Sequence, residues 1–145
     1  MMLRRLTHLG GARVSVGAGL LLIVSGERRL GLAALLANAL SHAAVQILKR
    51  TVARPRPSDA YGRPLALVEL PDPFSFPSGH AAAATAVATT VALHVPLLAP
   101  LLLPLAAAVA VSRVKLRVHD VADVLAGAGL GLTGAIVATV LVRRS

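Results

Sequence analysis

The apolar positions of this chain fall in long runs, not in the one-sided stripes of a water-soluble helical bundle. A helix that crosses a bilayer needs about 20 mainly apolar residues. On that measure the runs predict about five segments: Leu9 to Ser25, Leu30 to Leu48, Ala81 to Ala99, Leu97 to Val111 and Val121 to Val142. The third and fourth are nearly continuous, punctuated by Pro96, Pro100 and Pro104. The last is the clearest, and its Gly127, Gly131 and Gly134 give a small-residue face. Gly127 and Gly131 stand in the G-x-x-x-G spacing that lets two helices approach closely. The first segment carries Arg13 and has a short apolar part, so it either spans or lies at the interface. Its basic-then-apolar order also suits a signal peptide, but further apolar segments follow at once and favour a membrane segment.

One long polar stretch interrupts the pattern, Lys49 to Pro77, rich in Pro and Arg. A structureless stretch of that length within a compact domain is usually functional. Counting the crossings places three points on one side of the membrane. These are the end of the second segment, the start of the third, and the Arg113 to Asp123 junction. The expected fold is an all-α integral membrane bundle, one domain over residues 1–145.

Composition sharpens this picture. The chain is 56% hydrophobic but only 2% aromatic, with Ala, Leu and Val dominant. A net charge of +9 would suit a nucleic-acid backbone. The cations lie between apolar runs, however, and there is no Trp and a single Tyr, which argues against nucleic acid as a partner. Anionic lipid heads and a phosphate substrate suit the charge better. The absence of cysteine excludes disulfides, thiolate metal sites and a cysteine nucleophile.

Three polar clusters carry the candidate chemistry. The first, KRTVARPRP, holds Lys49 and Arg56, with prolines stiffening the backbone between and after them; alone it reads as a basic membrane flank. The second, PSGH, puts Pro77 before a helix, Ser78 at its N-cap and His80 in its first turn. Helix N-termini bind anions, and Gly79 lets a ligand approach the backbone. Alone this cluster reads equally as capping. The third, SRVKLRVHDVAD, spaces His119 and Asp123 at i, i+4, one face of a helix beginning near His119. A carboxylate there can hold the proton of one ring nitrogen and leave the other nitrogen's lone pair free to attack. Arg113 adds a planar fork for phosphate oxygens.

The ordered set Lys49-x6-Arg56-Pro57, Pro77-Ser78-Gly79-His80 and Ser112-Arg113-x5-His119-x3-Asp123 resembles the signature of the type 2 phosphatidic acid phosphatase family. That family shares its site with bacterial acid phosphatases and vanadium haloperoxidases. The resemblance implies a phosphohistidine on His119, oriented by Asp123, with His80 protonating the leaving oxygen and later activating water. It further implies a phosphate cage of Lys49, Arg56, Arg113, the Ser78 hydroxyl and the Gly79 N–H, with no metal and no cofactor. The chain is shorter than six-helix members and looks more like small actinobacterial-type ones. The implied substrates are lipid phosphates: polyprenyl-linked ones, phosphatidic acid or phosphatidylglycerophosphate. The competing expectation is an inactive lipid-binding scaffold, against which the intact His80, His119 and Asp123 argue.

Two positions depart from the pattern. Family members often carry an aromatic and a glycine where this chain has Lys115 and Arg117, two cations that suit either a more anionic head or interfacial anchoring. Asp120 is expected as a first-turn carboxylate. Asn38, His42, Gln46 and Lys49 share a helical stripe, expected as a structural polar seam. Outside the three substrate-binding cations, the active-site side holds Arg4, Arg5, Arg50, Arg54, Arg63, Lys115 and Arg117. The other side holds Arg28, Arg29, Arg143 and Arg144. If all five segments span, the positive-inside rule predicts a cell-membrane protein with a cytoplasmic active site; if the first lies at the interface, the count is five against six and decides no side.

Overall fold

A computed structural model describes residues 11–70 and 72–144. Leu9 and Gly10 of the first expected segment, together with Arg4 and Arg5, lie outside the described residues. Among the described residues, five α-helices stand where five segments were expected: α1 (Ala12–Val24), α2 (Arg28–Val52), α3 (Gly79–His94), α4 (Ala99–Lys115) and α5 (Val121–Arg144). Three stretches among the described residues, Arg28–Val52, Pro96–Lys115 and Val121–Arg144, are long and apolar enough to cross a membrane. The protein is an all-α membrane protein.

The near-continuous apolar run from Ala81 to Val111 breaks at its first proline. Val95, the residue before Pro96, is forced into an extended conformation with φ −130° and ψ 79°. A 3-10 turn, Pro96–Leu98, then starts α4, which runs through Pro104 without ending. As a result α3 has 16 residues, and 1.5 Å per residue makes it shorter than the roughly 30 Å of bilayer hydrocarbon. It can be short because it is the central helix, packed against α2, α4 and α5.

Small residues make that packing possible. The innermost cluster is Ala37, Ala86, Ala135 and Ala138, from α2, α3 and α5. A Cβ at Gly127 would run into the Ser78 carbonyl, one at Gly131 into the Ala82 carbonyl, and one at Gly134 into the Ala37 carbonyl, each closer than 3.0 Å. The glycine face of α5 is therefore in backbone contact with α3 and α2. Lipid tails are as apolar as Leu, so helices gain little by burying grease from one another. Close van der Waals contact of this kind is what holds them together.

The polar stretch after α2 is not structureless. Ala53 ends α2 in the left-handed region, at φ 47°, and turns the chain back over the helix ends. Pro55 pairs with Phe74, and Ser58 with Pro64, in single antiparallel bridges. The Ser75 N–H donates to the Arg54 carbonyl at 2.8 Å, and its hydroxyl to the Pro55 carbonyl at 2.9 Å. At its far edge the Leu67 N–H donates to the Leu116 carbonyl at 3.1 Å. The loop is thus stitched to itself and to the α4–α5 turn, across the mouth where the three polar clusters meet.

Candidate active site

Ser78 caps α3 as its sequence position predicts. Its Oγ accepts from the Ala81 N–H at 3.4 Å and its carbonyl from the Ala82 N–H at 3.1 Å. Its own N–H donates to the Asp123 carbonyl at 2.9 Å, which ties the start of α3 to the first turn of α5. A Cβ on Gly79 would meet only Val45, at an ordinary 3.7 Å, so packing does not demand glycine there. Its side faces a cavity of about 210 Å³, and half-buried His80 lines the same space.

His119 does not lie on the helix as its i, i+4 spacing suggested. α5 begins at Val121, and His119 belongs to the turn before it, because Asp120 takes the N-cap position. The Asp120 carbonyl accepts from the Asp123 N–H at 3.1 Å, and Asp123 Oδ2 accepts from the Asp120 N–H at 2.9 Å. The second bond is one half of a capping box, with Asp123 as its acid. Asp120 is therefore the cap itself, its side chain exposed. His119 Nδ1 still points at Asp123 Oδ2, 3.6 Å away, beyond hydrogen-bond reach in this state. The second oxygen of Asp123 accepts from Arg54 Nη1 at 3.0 Å.

The other face of the imidazole meets cations. Arg56 Nη1 donates to the Val118 carbonyl at 2.9 Å and lies 3.5 Å from His119 Nε2. A guanidinium cannot accept a proton bond, so the nitrogen that faces it carries a lone pair. Burial, then the charges of Arg56 and Arg113, lower the pKa of His119 from 6.5 to about 3, against the opposing pull of Asp123. The imidazole is neutral near pH 7.

Lys49, Arg56 and Arg113 are all buried, at 5%, 8% and 3% exposure. Buried charges need partners, and the partner of the first two is a residue the motifs did not reveal. Asp72 Oδ1 accepts from Lys49 Nζ at 3.0 Å and from Arg56 Nη2 at 3.2 Å. Burial would raise the Asp72 carboxyl. The hydrogen bond and charge of Lys49, the charge of Arg56 and the Phe74 N–H together hold it below the usual carboxylate range. One signal was available in the sequence. Six acids among fifteen Lys and Arg leave each acid in the polar stretch with a choice of cations.

Lys49, Arg56, Gly79, His80, Arg113 and His119 therefore line one cavity, although they span 71 positions of sequence. Asp72 lines it too, and Asn38, His42 and Gln46 extend it along α2, so the polar seam forms part of the cavity wall. Ser78 and Asp123 are fully buried beside this space and do not line it. Arg117, where relatives often have glycine, sits at φ 56°, in the left-handed region that glycine enters without strain. Lys115 and Arg117 are both exposed.

Comparison with known proteins agrees with this fold. The family model described as PAP2 superfamily matches residues 30–145. One similar solved structure is described as the first transmembrane PAP2 type phosphatidylglycerolphosphate phosphatase from Bacillus subtilis. It aligns at a TM-score of 0.77 with 28% identity, covering 99% of this chain and 76% of that one. Another is LpxE of Aquifex aeolicus, at a TM-score of 0.78 and 26% identity, covering 94% of this chain and 82% of that one. Among curated proteins, none is significantly similar in sequence.

Proposed function

This chain belongs to the PAP2 superfamily, and on that premise we propose a metal-independent lipid phosphatase that works through a phosphohistidine on His119. The enzyme is a lipid phosphatase of the membrane, as the family and both structural relatives indicate. One observation carries the mechanism: a neutral imidazole whose Nε2 looks into a cavity lined by three buried cations and the start of a helix.

In this reading the phosphoryl group sits among Lys49, Arg56 and Arg113, against the Gly79 N–H. The Nε2 lone pair of His119 attacks phosphorus, and the bond to the lipid oxygen breaks. His80, protonated, gives its proton to that oxygen. In the second half, His80 takes a proton from water, the hydroxyl attacks phosphorus, and the P–N bond breaks. Inorganic phosphate leaves and the electron pair returns to Nε2. Asp123 orients the nucleophile and accepts a hydrogen bond from Nδ1 once positive charge develops on the ring. Ser78 acts chiefly by fixing the helix start, with its hydroxyl the remaining donor of the cage. Fixed cations that face the developing charge supply the stabilisation that a metal supplies elsewhere.

The substrate is a phosphate monoester or diphosphate of a membrane lipid. The Bacillus subtilis relative makes phosphatidylglycerophosphate the first to try, with phosphatidic acid and polyprenyl diphosphates beside it. We place the protein in the cell membrane with the cavity facing the cytoplasm. The basic residues around the mouth, Arg50, Arg54, Arg63, Lys115 and Arg117, support that side.

One experiment tests substrate and side together. Short-chain lipid phosphates that cannot cross a bilayer are added, in excess chelator, to sealed inside-out and right-side-out vesicles. Phosphate release is expected from inside-out vesicles only, with inhibition by vanadate. Strict dependence on added Mg²⁺ would sink the metal-independent mechanism, and release from right-side-out vesicles alone would overturn the cytoplasmic assignment.

A further inference from the structure

Two of the three buried cations that face the cavity are already engaged by a carboxylate. Asp72 Oδ1 takes three donors: Lys49 Nζ at 3.0 Å, Arg56 Nη2 at 3.2 Å and the Phe74 N–H at 2.9 Å. The backbone of the same turn adds two more acceptors. The Asp72 carbonyl accepts from Arg56 Nε at 2.8 Å, and the Phe74 carbonyl from Lys49 Nζ at 2.7 Å. The turn therefore holds both cations twice over, once by charge and once by carbonyl.

Asp72 is not sealed away behind them. It is about a third exposed, and with Arg56 it lines both the catalytic cavity and a second one of about 480 Å³ on the loop side. A carboxylate in that position does two opposing things. It pins Lys49 and Arg56, and it repels any anion they bind. With Arg113, the three cations carry three positive charges, of which Asp72 cancels one.

We propose that Asp72 is a positioning residue that sets the charge of the phosphate site, fixing Lys49 and Arg56 while weakening their hold on product phosphate. The inference rests on the lipid phosphatase reading above. It goes beyond it by assigning a function to a residue outside the three motifs. A site with the full charge of all three cations would bind phosphate tightly and release it slowly. Asp72 trades affinity for turnover.

Asp72→Asn tests this, since it keeps the shape and the Phe74 turn but removes the charge. The inhibition constant of inorganic phosphate is expected to fall about tenfold, because a like charge within several ångströms of the anion has gone. KM is expected to fall with it, and kcat to fall as phosphate leaves more slowly. Asp72→Glu restores the charge and should return both toward wild type. A role limited to holding the loop predicts the opposite sign: loosened cations, with a higher inhibition constant and a higher KM. That result, or an unchanged inhibition constant, overturns the proposal. Asp72→Ser removes the same charge and decides the question in the same way should the Asn variant not fold. Phosphate binding measured by calorimetry gives the same sign without turnover. If wild-type protein released no phosphate from any lipid, the phosphatase reading would fail, while tighter binding by the Asn variant would still uphold this inference.

Discussion

At the residue scale, His119 explains why the cations had to be buried beside it. An imidazole exposed to water is partly protonated near neutrality and then has no lone pair to offer. Burial and the charges of Arg56 and Arg113 keep this one neutral well into acid, with a pKa of about 3. Between pH 6.5 and 3 the unfolded chain binds a proton here that the folded chain does not. Folding stability from this group is therefore intact above 6.5 and is lost as pH falls through that window. In the substrate-free protein the His119 ring is expected to give the magnetic resonance signature of neutral imidazole at pH 5. A titration midpoint near 6.5 would show that the cations do not act on it as described. Asp72 and Arg54 belong to the same scale and escaped the sequence. Neither falls on a periodic face, and each acts on a partner far away: Asp72 on Lys49, 23 positions back, and Arg54 on Asp123, 69 positions ahead. Spacing reveals neighbours along one helix and is silent about a loop that folds back.

At the element scale, catalytic geometry depends on a backbone contact between α3 and α5. The Ser78 carbonyl lies against Gly127, and the Ser78 N–H bonds to the Asp123 carbonyl, so one small area locates both the start of α3 and the turn that carries His119. The G-x-x-x-G spacing announced a close approach in the sequence, and the structure shows what is approached. Gly127→Ala adds a methyl group that the Ser78 carbonyl must yield to. The expected cost is about 1–3 kcal/mol of stability, with a marked fall in phosphate release because Gly79 and His80 move with Ser78. Gly129→Ala is the control: a Cβ there has nothing within 4 Å, so stability and activity should stay near wild type. Equal effects of the two substitutions would show that the α3–α5 contact does not position the site. The break between α3 and α4 was less legible. The prolines were visible, but an apolar run gives no sign of which proline ends a helix. Pro96 does, through Val95, while Pro104 is carried inside α4.

At the scale of the whole molecule, apolar runs fixed how many helices to expect and which ends meet, because a bundle with short turns leaves few choices. The runs could not show that the central helix is shorter than a bilayer is thick, since that depends on neighbours covering it. Nor could they show that the loop across the mouth is ordered, since its bonds run through backbone groups that every sequence possesses. What the assembled molecule presents is one cavity that buried cations and a neutral imidazole face. The central claim is that phosphate passes from lipid to His119 before it reaches water. A single-turnover reaction with a lipid carrying radiolabelled phosphate, quenched in base, tests it directly. The account predicts base-stable, acid-labile label on the peptide containing His119, and neither label nor phosphate release in His119→Ala. Phosphate release at a near wild-type rate by His119→Ala would contradict it.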